Sequence, residues 1–309
     1  METKLRIFRY NPETDQAPRY DEFPVEITKG KTILDCLEEI KANNDGTLTF
    51  DRSCKSGMCG GCGLRINGKG RLACQTQALH EVDNGIILIE PLSNFPIIKD
   101  LAVNKSSFWK KIKESEPCFV HKEFSEEDPA KMITKESLLI FENSDSCIMC
   151  GLCYSACSSV KHEPGFLGPA AATKAYRFLA DPRDAKSKER LASLQQQKIW
   201  LCSHQYQCIE ACPKNIEPGN LIFKLENKIF QTSKVSGSGM KNAKYFSASF
   251  KKYGKLDFRN WGIAAGRSFF KELILNLKLS MKSRISLLSM KKIKNYADIR
   301  KLMNRLGEK

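Results

Sequence analysis

Eleven of the chain's 13 cysteines fall into three segments whose spacing suits metal-bound thiolates. Cys147, Cys150, Cys153 and Cys157 lie within eleven residues, the first three two residues apart and the fourth after three more. Such a run binds a cubane iron-sulfur cluster through three thiolates and sends the fourth to a different cluster. The missing ligands have to come from elsewhere, and Cys202-x5-Cys208-x3-Cys212-Pro213 supplies them, its last cysteine followed by the proline usual in such motifs. The expected exchange is reciprocal. Cys147, Cys150 and Cys153 take Cys212 to bind a 4Fe-4S cluster, while Cys157 joins Cys202 and Cys208 at a second site. Gln205 occupies the position where an x2 spacing from Cys202 would put a fourth thiolate. A 3Fe-4S cluster is therefore expected there. Soft thiolates also suit zinc, so a pair of zinc sites is the alternative, although tight zinc sites usually pair two C-x2-C hooks and close four ligands each.

The first segment is Cys54-x4-Cys59-x2-Cys62, followed by Cys74, which is the plant-type 2Fe-2S spacing. Gly57, Gly60, Gly61 and Gly63 surround it; residues without Cβ let backbone N–H groups turn inward and approach cluster sulfurs. Arg52, Lys55, Arg65 and Arg71 have two readings: they offset the negative charge of a thiolate-bound cluster, or they are solvated surface charges.

The elements that must position these cysteines follow from periodicity. Residues 4–10 alternate polar and apolar, as do 23–27 after a Pro-rich turn, giving two strands of a hairpin. Ile33, Leu37 and Ile40 then share one helical face behind Thr32 as cap, with Cys36 near that face as a buried thiol. Leu64 to Cys74 reads as two short strands about an Asn67-Gly68 turn, and Ile86–Ile89 closes the sheet. Pro91 and Pro96 mark a boundary. Beyond it the pattern is helical: Phe108, Trp109 and Ile112 on one helix with Trp109 in the core, an acidic loop over 123–128, and helices over 135–143, 169–180, 185–198 and 217–231. The fold class is α+β, with a plant-type ferredoxin domain of β-grasp form over 1–96, an all-helical bacterial-ferredoxin-like domain over 97–232, and a linker with a basic amphipathic helical extension over 233–309.

At 309 residues the chain is long enough for ordinary cores. With eleven cysteines at ligand spacing, a disulfide scaffold is excluded and a reducing compartment is expected. The start, Met1-Glu2-Thr3-Lys4, opens no apolar signal region, and no run of eighteen apolar residues occurs. The net charge of +15 belongs to the tail: residues 233–309 hold 19 of the 50 Lys and Arg but 4 of the 35 Asp and Glu. Residues 233–239 read as a flexible linker. Phe270, Ile274, Leu277, Met281, Ile285 and Leu288 then recur at steps of three and four, with Lys271, Lys278 and Lys282 elsewhere on the wheel. A basic amphipathic helix of this kind lies on an anionic membrane surface or docks with a membrane-proximal partner. Packing on the chain's own core is the alternative, and nucleic acid is not expected.

Taken together, Ser53-Cys54-x4-Cys59-Gly60-x-Cys62, Ile66-Asn67-Gly68 leading to Leu72-Ala73-Cys74, and the two interleaved cysteine segments resemble the iron-sulfur subunit of succinate dehydrogenase and fumarate reductase over residues 1 to about 232. Gly168-Pro169-Ala170, Tyr176-Arg177-Phe178 and Asp181-Pro182-Arg183-Asp184 are similar to that family's linker helix. The resemblance implies an electron wire: succinate oxidised, or fumarate reduced, at FAD in a separate flavoprotein subunit, with electrons passing the 2Fe-2S, 4Fe-4S and 3Fe-4S clusters to or from a quinone. No dinucleotide fingerprint occurs in this chain. The resemblance also implies a membrane-anchor subunit, or the cysteine-rich membrane-associated subunit that some members use, and a peripheral place at the inner membrane. The cytoplasmic face is favoured, the periplasmic face being reached by co-export.

The chain departs from the family where a proline commonly follows the cysteine at Cys157, with a quinone-contacting tryptophan a few residues on: it reads Ser158-Ser159-Val160-Lys161-His162. A histidine usually follows the cysteine at Cys202; here Ser203 stands there and His204 one place later. Trp200, Ser203 and His204 are the candidates for the vicinity of the quinone or other acceptor, packing of the domain being the plainer reading. Rival functions are a free ferredoxin-like carrier, and an electron-transfer subunit of another flavoenzyme or a heterodisulfide-reductase-like complex. Gln205 in place of a cysteine speaks against the latter.

Overall fold

The computed structural model describes residues 1–123, 133–141, 143–196, 198–232, 238–257, 292–294 and 296–307. The chain divides into two compact units, Met1–Asn227 and Lys228–Lys309.

In the first unit, strand β1 (Glu2–Arg9) buries Leu5 and Ile7 completely on one face, as the period-two alternation requires. Strand β2 (Arg19–Glu26) returns antiparallel, with Leu5 opposite Phe23. Helix α1 (Ile33–Asn43) opens with a capping box: the Thr32 hydroxyl accepts the Asp35 N–H at 3.2 Å while the Asp35 carboxylate accepts the Thr32 N–H at 2.9 Å. Its buried stripe of Ile33, Leu37 and Ile40 is worth about 1.5–3 kcal/mol per side chain. Strands β3 (Gly63–Ile66) and β4 (Lys69–Leu72) are joined by Asn67 and Gly68 at φ +48° and +77°, the conformation of a two-residue hairpin turn. Strand β5 (Ile86–Glu90) runs parallel to β1 and antiparallel to β3 in the order β2-β1-β5-β3-β4. It thus fills the middle of the sheet and not its edge, and Ile87 and Ile89 are fully buried for that reason.

A second, two-stranded sheet, β6 (Ile97–Lys99) and β7 (Ala102–Val103), stands at the start of the 97–232 region, correcting its all-helical reading, and is fastened to the first sheet through Arg9. The Arg9 guanidinium, 3% exposed, donates to Asp100 at 3.1 Å, to Asp21 at 3.3 Å and to Asp45. Removing one partner from so buried a pair typically costs about 3–5 kcal/mol.

The helical part comprises α2 (Ser106–Glu114), α3 (Lys135–Phe141), α4 (Leu152–Ser155), α5 (Ser158–His162), α6 (Pro169–Leu179), α7 (Ser187–Gln196), α8 (Gln207–Glu210) and α9 (Pro218–Thr232). Phe108 and Ile112 of α2 are buried, one turn apart, but Trp109 lies beside that stripe and is 45% exposed, correcting its assignment to the core. After α6, Asp184 and Arg190 form a buried ion pair at 2.9 Å. Asp184 also accepts the Val120 N–H at 3.1 Å, and Arg190 donates to the carbonyls of Glu116 and Cys118, so α7 holds the incoming 116–122 segment. The acidic loop lies outside the described residues over 124–128.

In the second unit, α10 (Ser238–Tyr253) takes in Ser238 and Gly239, which were expected in the linker; 233–237 lie outside the described residues. Ser249 accepts the Asp257 N–H at 2.6 Å and donates to the Lys255 carbonyl at 2.9 Å, tying down the end of this helix. Helix α11 (Tyr296–Gly307) follows. The amphipathic helix expected over Phe270 to Leu288, with Lys271, Lys278 and Lys282, lies outside the described residues. Among the described residues no helix is long and apolar enough to cross a membrane.

Candidate metal centres

The loop between α1 and β3 is wound around sulfur. Cys54 Sγ accepts backbone N–H groups from Ser56 at 3.4 Å, Met58 at 3.3 Å and Cys59 at 3.2 Å, and Cys59 Sγ accepts that of Gly61 at 3.4 Å. The Ser56 hydroxyl, with these amides, pulls the Cys54 thiol down to about 6, so the loop stabilises a thiolate before any metal arrives. Cys62 and Cys74 are buried against each other where β3 begins and β4 ends; burial pushes Cys62 up to about 12, with the neighbouring Cys74 and Cys59 adding to it. The four nearby cations are each engaged by a carboxylate: Arg52 and Lys55 by Glu38, Arg65 by Glu90 and Arg71 by Glu81. That arrangement favours the surface-charge reading of all four.

Gly60 explains why this loop is rich in glycine. It sits at φ +70°, and a Cβ there would lie 2.7 Å from both Cα and Cβ of Cys150. The loop of the first centre therefore touches the backbone of the second centre's ligand segment. Asn94, after β5, strengthens the join: its amide donates to the carbonyls of Tyr154 at 2.9 Å and of Ser155 and Cys157 at 3.0 Å.

Two cavities receive the seven remaining cysteines. The first is lined by Cys147, Cys150, Cys153 and Cys212, with Met149, Gly151 and Pro213. Met149 and Gly151 have φ +54° and +84°, which curls the segment around this cavity. Burial drives Cys150 up to about 11 and Cys153 well above the ordinary thiol range, and the facing thiols reinforce the effect. Lys174 of α6 donates to the Cys147 carbonyl at 3.1 Å and opposes the upward shift of that thiol, which burial dominates. The second cavity is lined by Cys157, Cys202 and Cys208, with Ser158, Ser159, Ser203, His204, Gln205 and Tyr206 among the others. Burial raises Cys202 to about 11 and Cys208 to about 12. His204 Nε2 is 3.0 Å from Glu226, whose carboxylate raises the imidazole pKa, while the buried Nδ1 has no partner among the described residues. Trp200, half-buried on the turn before Cys202, does not line this cavity.

Buried thiols crowded together raise one another's pKa, an arrangement with a purpose only if a cation takes the protons' place. Thiolates around one zinc ion would sit about 2.3 Å from it and converge tightly. Among the described residues no three His, Cys, Asp or Glu side chains are grouped as a single ion requires. Ligands spread over the walls of a cavity suit a multi-atom cluster, and the amides aimed at Cys54 and Cys59 and the orphaned His204 Nδ1 fit a group bearing anionic sulfur. Outside these groups, Cys36 is buried in α1, where burial raises it to about 11, and Cys118 is exposed. Asn94, Lys174 and Glu226 went unread in the sequence, because each comes from a segment remote from the cysteine it adjoins.

Two family models match the chain: a 2Fe-2S iron-sulfur cluster binding domain over residues 4–110 and a 4Fe-4S dicluster domain over 143–216. The fumarate reductase iron-sulfur subunit of Mycobacterium tuberculosis is 39% identical over 220 residues, covering 71% of this chain and 89% of the relative. That of Escherichia coli O157:H7 is 36% identical with the same coverage, and the succinate dehydrogenase iron-sulfur subunit of Coxiella burnetii is 35% identical over 231 residues, covering 73% and 96%. In fold, the chain is similar to one in the Mycobacterium smegmatis Sdh1 complex in the apo form, at a TM-score of 0.67 and 22% identity over 76% of this chain and 98% of that one. With its mixed sheet, helical cysteine-bearing region and relatives of this identity and coverage, the chain belongs to the family of fumarate reductase and succinate dehydrogenase iron-sulfur subunits.

Proposed function

We propose that this chain is a three-centre electron wire in which Cys54, Cys59, Cys62 and Cys74 hold a 2Fe-2S cluster, Cys147, Cys150, Cys153 and Cys212 a 4Fe-4S cluster, and Cys157, Cys202 and Cys208 a 3Fe-4S cluster. The observation that carries the reading is the sorting of the seven later cysteines into two cavities, four and three, with Gln205 on the wall of the second. The short helix α4 lies between Cys150 and Cys157, so one rigid turn links the two sites, and Gly60 seats the first centre's loop on Cys150. Clusters supply reversible one-electron chemistry when bound; the protein's part is to fix their order, burial and sulfur hydrogen bonds, which set each potential.

Electrons enter or leave the 2Fe-2S end through FAD in a flavoprotein subunit that handles succinate or fumarate, and the 3Fe-4S end exchanges them with a quinone held by a membrane-anchor or cysteine-rich membrane-associated subunit. The division into 1–96, 97–232 and 233–309 follows this scheme, the last part contributing a basic contact with the membrane surface at the inner membrane. Sedimentation of the complex with membranes should be lost on removal of residues 240–309; unchanged sedimentation would reject the tail's role.

Low-temperature EPR of the anaerobically purified complex tests the whole reading. A 3Fe-4S signal in the oxidised state, with 2Fe-2S and 4Fe-4S signals appearing on stepwise reduction, is expected. Protein that carries zinc and no iron-sulfur signal would refute it.

A further inference from the structure

The side chain that stands where a fourth thiolate would be is itself polar and held in place. Gln205 lines that cavity with Cys157, Cys202 and Cys208, and its carbonyl oxygen accepts the Ser158 hydroxyl at 2.7 Å. Ser158 also lies 3.4 Å from the Ser203 hydroxyl oxygen. Ser203 is itself fixed: its N–H donates to Ser159 Oγ at 3.0 Å, and the two hydroxyls are 3.0 Å apart. A serine has one hydroxyl proton, so Ser158, having donated to Gln205, is the acceptor toward Ser203. The row of hydroxyls ends on Gln205 Oε1, and a planar amide held by its oxygen presents both N–H donors on its other branch. Charge gives the same orientation. Gln205 shares the cavity wall with Cys157, Cys202 and Cys208, and beside anionic sulfur an amide is stabilised with its N–H groups, not its carbonyl oxygen, toward the charge.

We infer that the Ser158–Gln205 pair directs the Gln205 amide N–H donors at sulfur on the open corner of the three-thiolate cluster, making that cluster easier to reduce than an apolar side chain at position 205 would. The inference rests on the three-iron reading proposed above. Its physical basis is that reduction adds negative charge to the cluster, so a hydrogen bond to sulfur strengthens on reduction and raises the potential. Gln205 is the donor in this arrangement, and Ser158 is a positioning residue.

The test is an anaerobic redox titration of the purified complex, followed through the oxidised-state 3Fe-4S EPR signal. Gln205→Leu removes the donor at similar bulk, Ser158→Ala releases the amide, and Ser158→Thr restores a hydroxyl. In Gln205→Leu the ratio of reduced to oxidised cluster at a fixed potential should fall about tenfold, equivalent to about 59 mV for a one-electron step. Ser158→Ala should move the midpoint the same way by less, Ser158→Thr should match the wild type, and the other two midpoints should stay in place. An intact 3Fe-4S signal with an unmoved midpoint in Gln205→Leu would overturn the inference and leave the three-iron reading standing. Absence of that signal from the wild type would overturn both. Should Gln205→Leu fail to hold its cluster, the comparison of Ser158→Ala with Ser158→Thr decides, and equal midpoints would reject the inference.

Discussion

Gly60→Ala should be far more damaging than Gly61→Ala one residue away, although both change one hydrogen to a methyl group in the same loop. At position 60 the new Cβ would meet Cys150 Cα and Cβ at 2.7 Å and Cys150 N at 3.1 Å, with φ at +70°. Left-handed backbone costs a non-glycine residue about 1–2 kcal/mol. Overpacking against atoms that cannot yield adds about 1–3 kcal/mol. Cys150 is such a neighbour, because its backbone is fixed by the short helix that follows it and, on the proposed reading, by its own cluster. At position 61 the Cβ would meet only Cys59 Sγ, at 3.5 Å, an ordinary contact, and the backbone is not left-handed.

Relief of the strain at position 60 requires the 54–62 loop and the Cys150 backbone to move apart. Thermal unfolding of the complex at a fixed scan rate should show a fall in apparent Tm on the order of 10 °C for Gly60→Ala, against about 1–2 °C or less for Gly61→Ala. The reduced 2Fe-2S EPR signal should also lose part of the relaxation enhancement that a nearby second cluster provides. Equal Tm values for the two variants would refute the claim that the loop is seated on Cys150.

Three further substitutions probe the sites one at a time. Cys59→Ser should alter or abolish the 2Fe-2S EPR signal and leave the other two; loss of all three together would mean global unfolding and would contradict the separation of the centres. Gln205→Cys should convert the 3Fe-4S signal to that of a second 4Fe-4S cluster, and retention of the original signal would show that position 205 does not face the open corner. Asp181 titrates low: its burial would push it up, but hydrogen bonds from Arg183 and Arg177, at 2.9–3.0 Å, bring it down to about 2. A depressed carboxylate stabilises the fold above its unfolded pKa of about 4 and ceases to do so as pH falls through the folded value, so the contribution, about 2 kcal/mol, is complete at pH 5 and above. The difference in urea midpoint between wild type and Asp181→Asn should therefore be constant from pH 8 to 5 and shrink as pH falls from 4 to 2; a gap that widens on acidification would reverse the assignment.

Local patterns in the sequence read well where the determinant lies within a few residues. The hairpin at Asn67-Gly68, the Thr32 cap and the alternation of Leu5 and Ile7 each needed only neighbouring side chains to specify them. Position within the sheet was harder: β5 lies at its centre because it pairs with both β1 and β3, a fact about strands dozens of residues away. Trp109 was misplaced because Phe108, Trp109 and Ile112 offer two overlapping helical faces, and the packing partner decides which is buried. The short helices α4, α5 and α8, of four or five residues, fall below the length at which periodicity shows. Cysteine spacing named the candidate ligands, but no local rule leads from there to Asn94 or Lys174.

Those unread residues bear on how a wire stays a wire. Transfer between centres depends on their separation, which a flexible segment would leave undefined. Between Cys150 and Cys157 the chain forms one short helix packed on Leu152, which is fully buried. Phe95 packs against Tyr154 at 5.0 Å between ring centroids, and Phe108 against the same ring at 5.4 Å, so the segment is gripped from both α2 and the strand-rich part. Asn94, one residue before Phe95, ties the carbonyls of Tyr154, Ser155 and Cys157 at its end. The same few residues that set the distance between the two later sites thus also fix them against the sheet that presents the first. Rigidity at this point is a property of the packing around α4, and it would be lost by loosening Asn94 or Phe95 with every cysteine still in place.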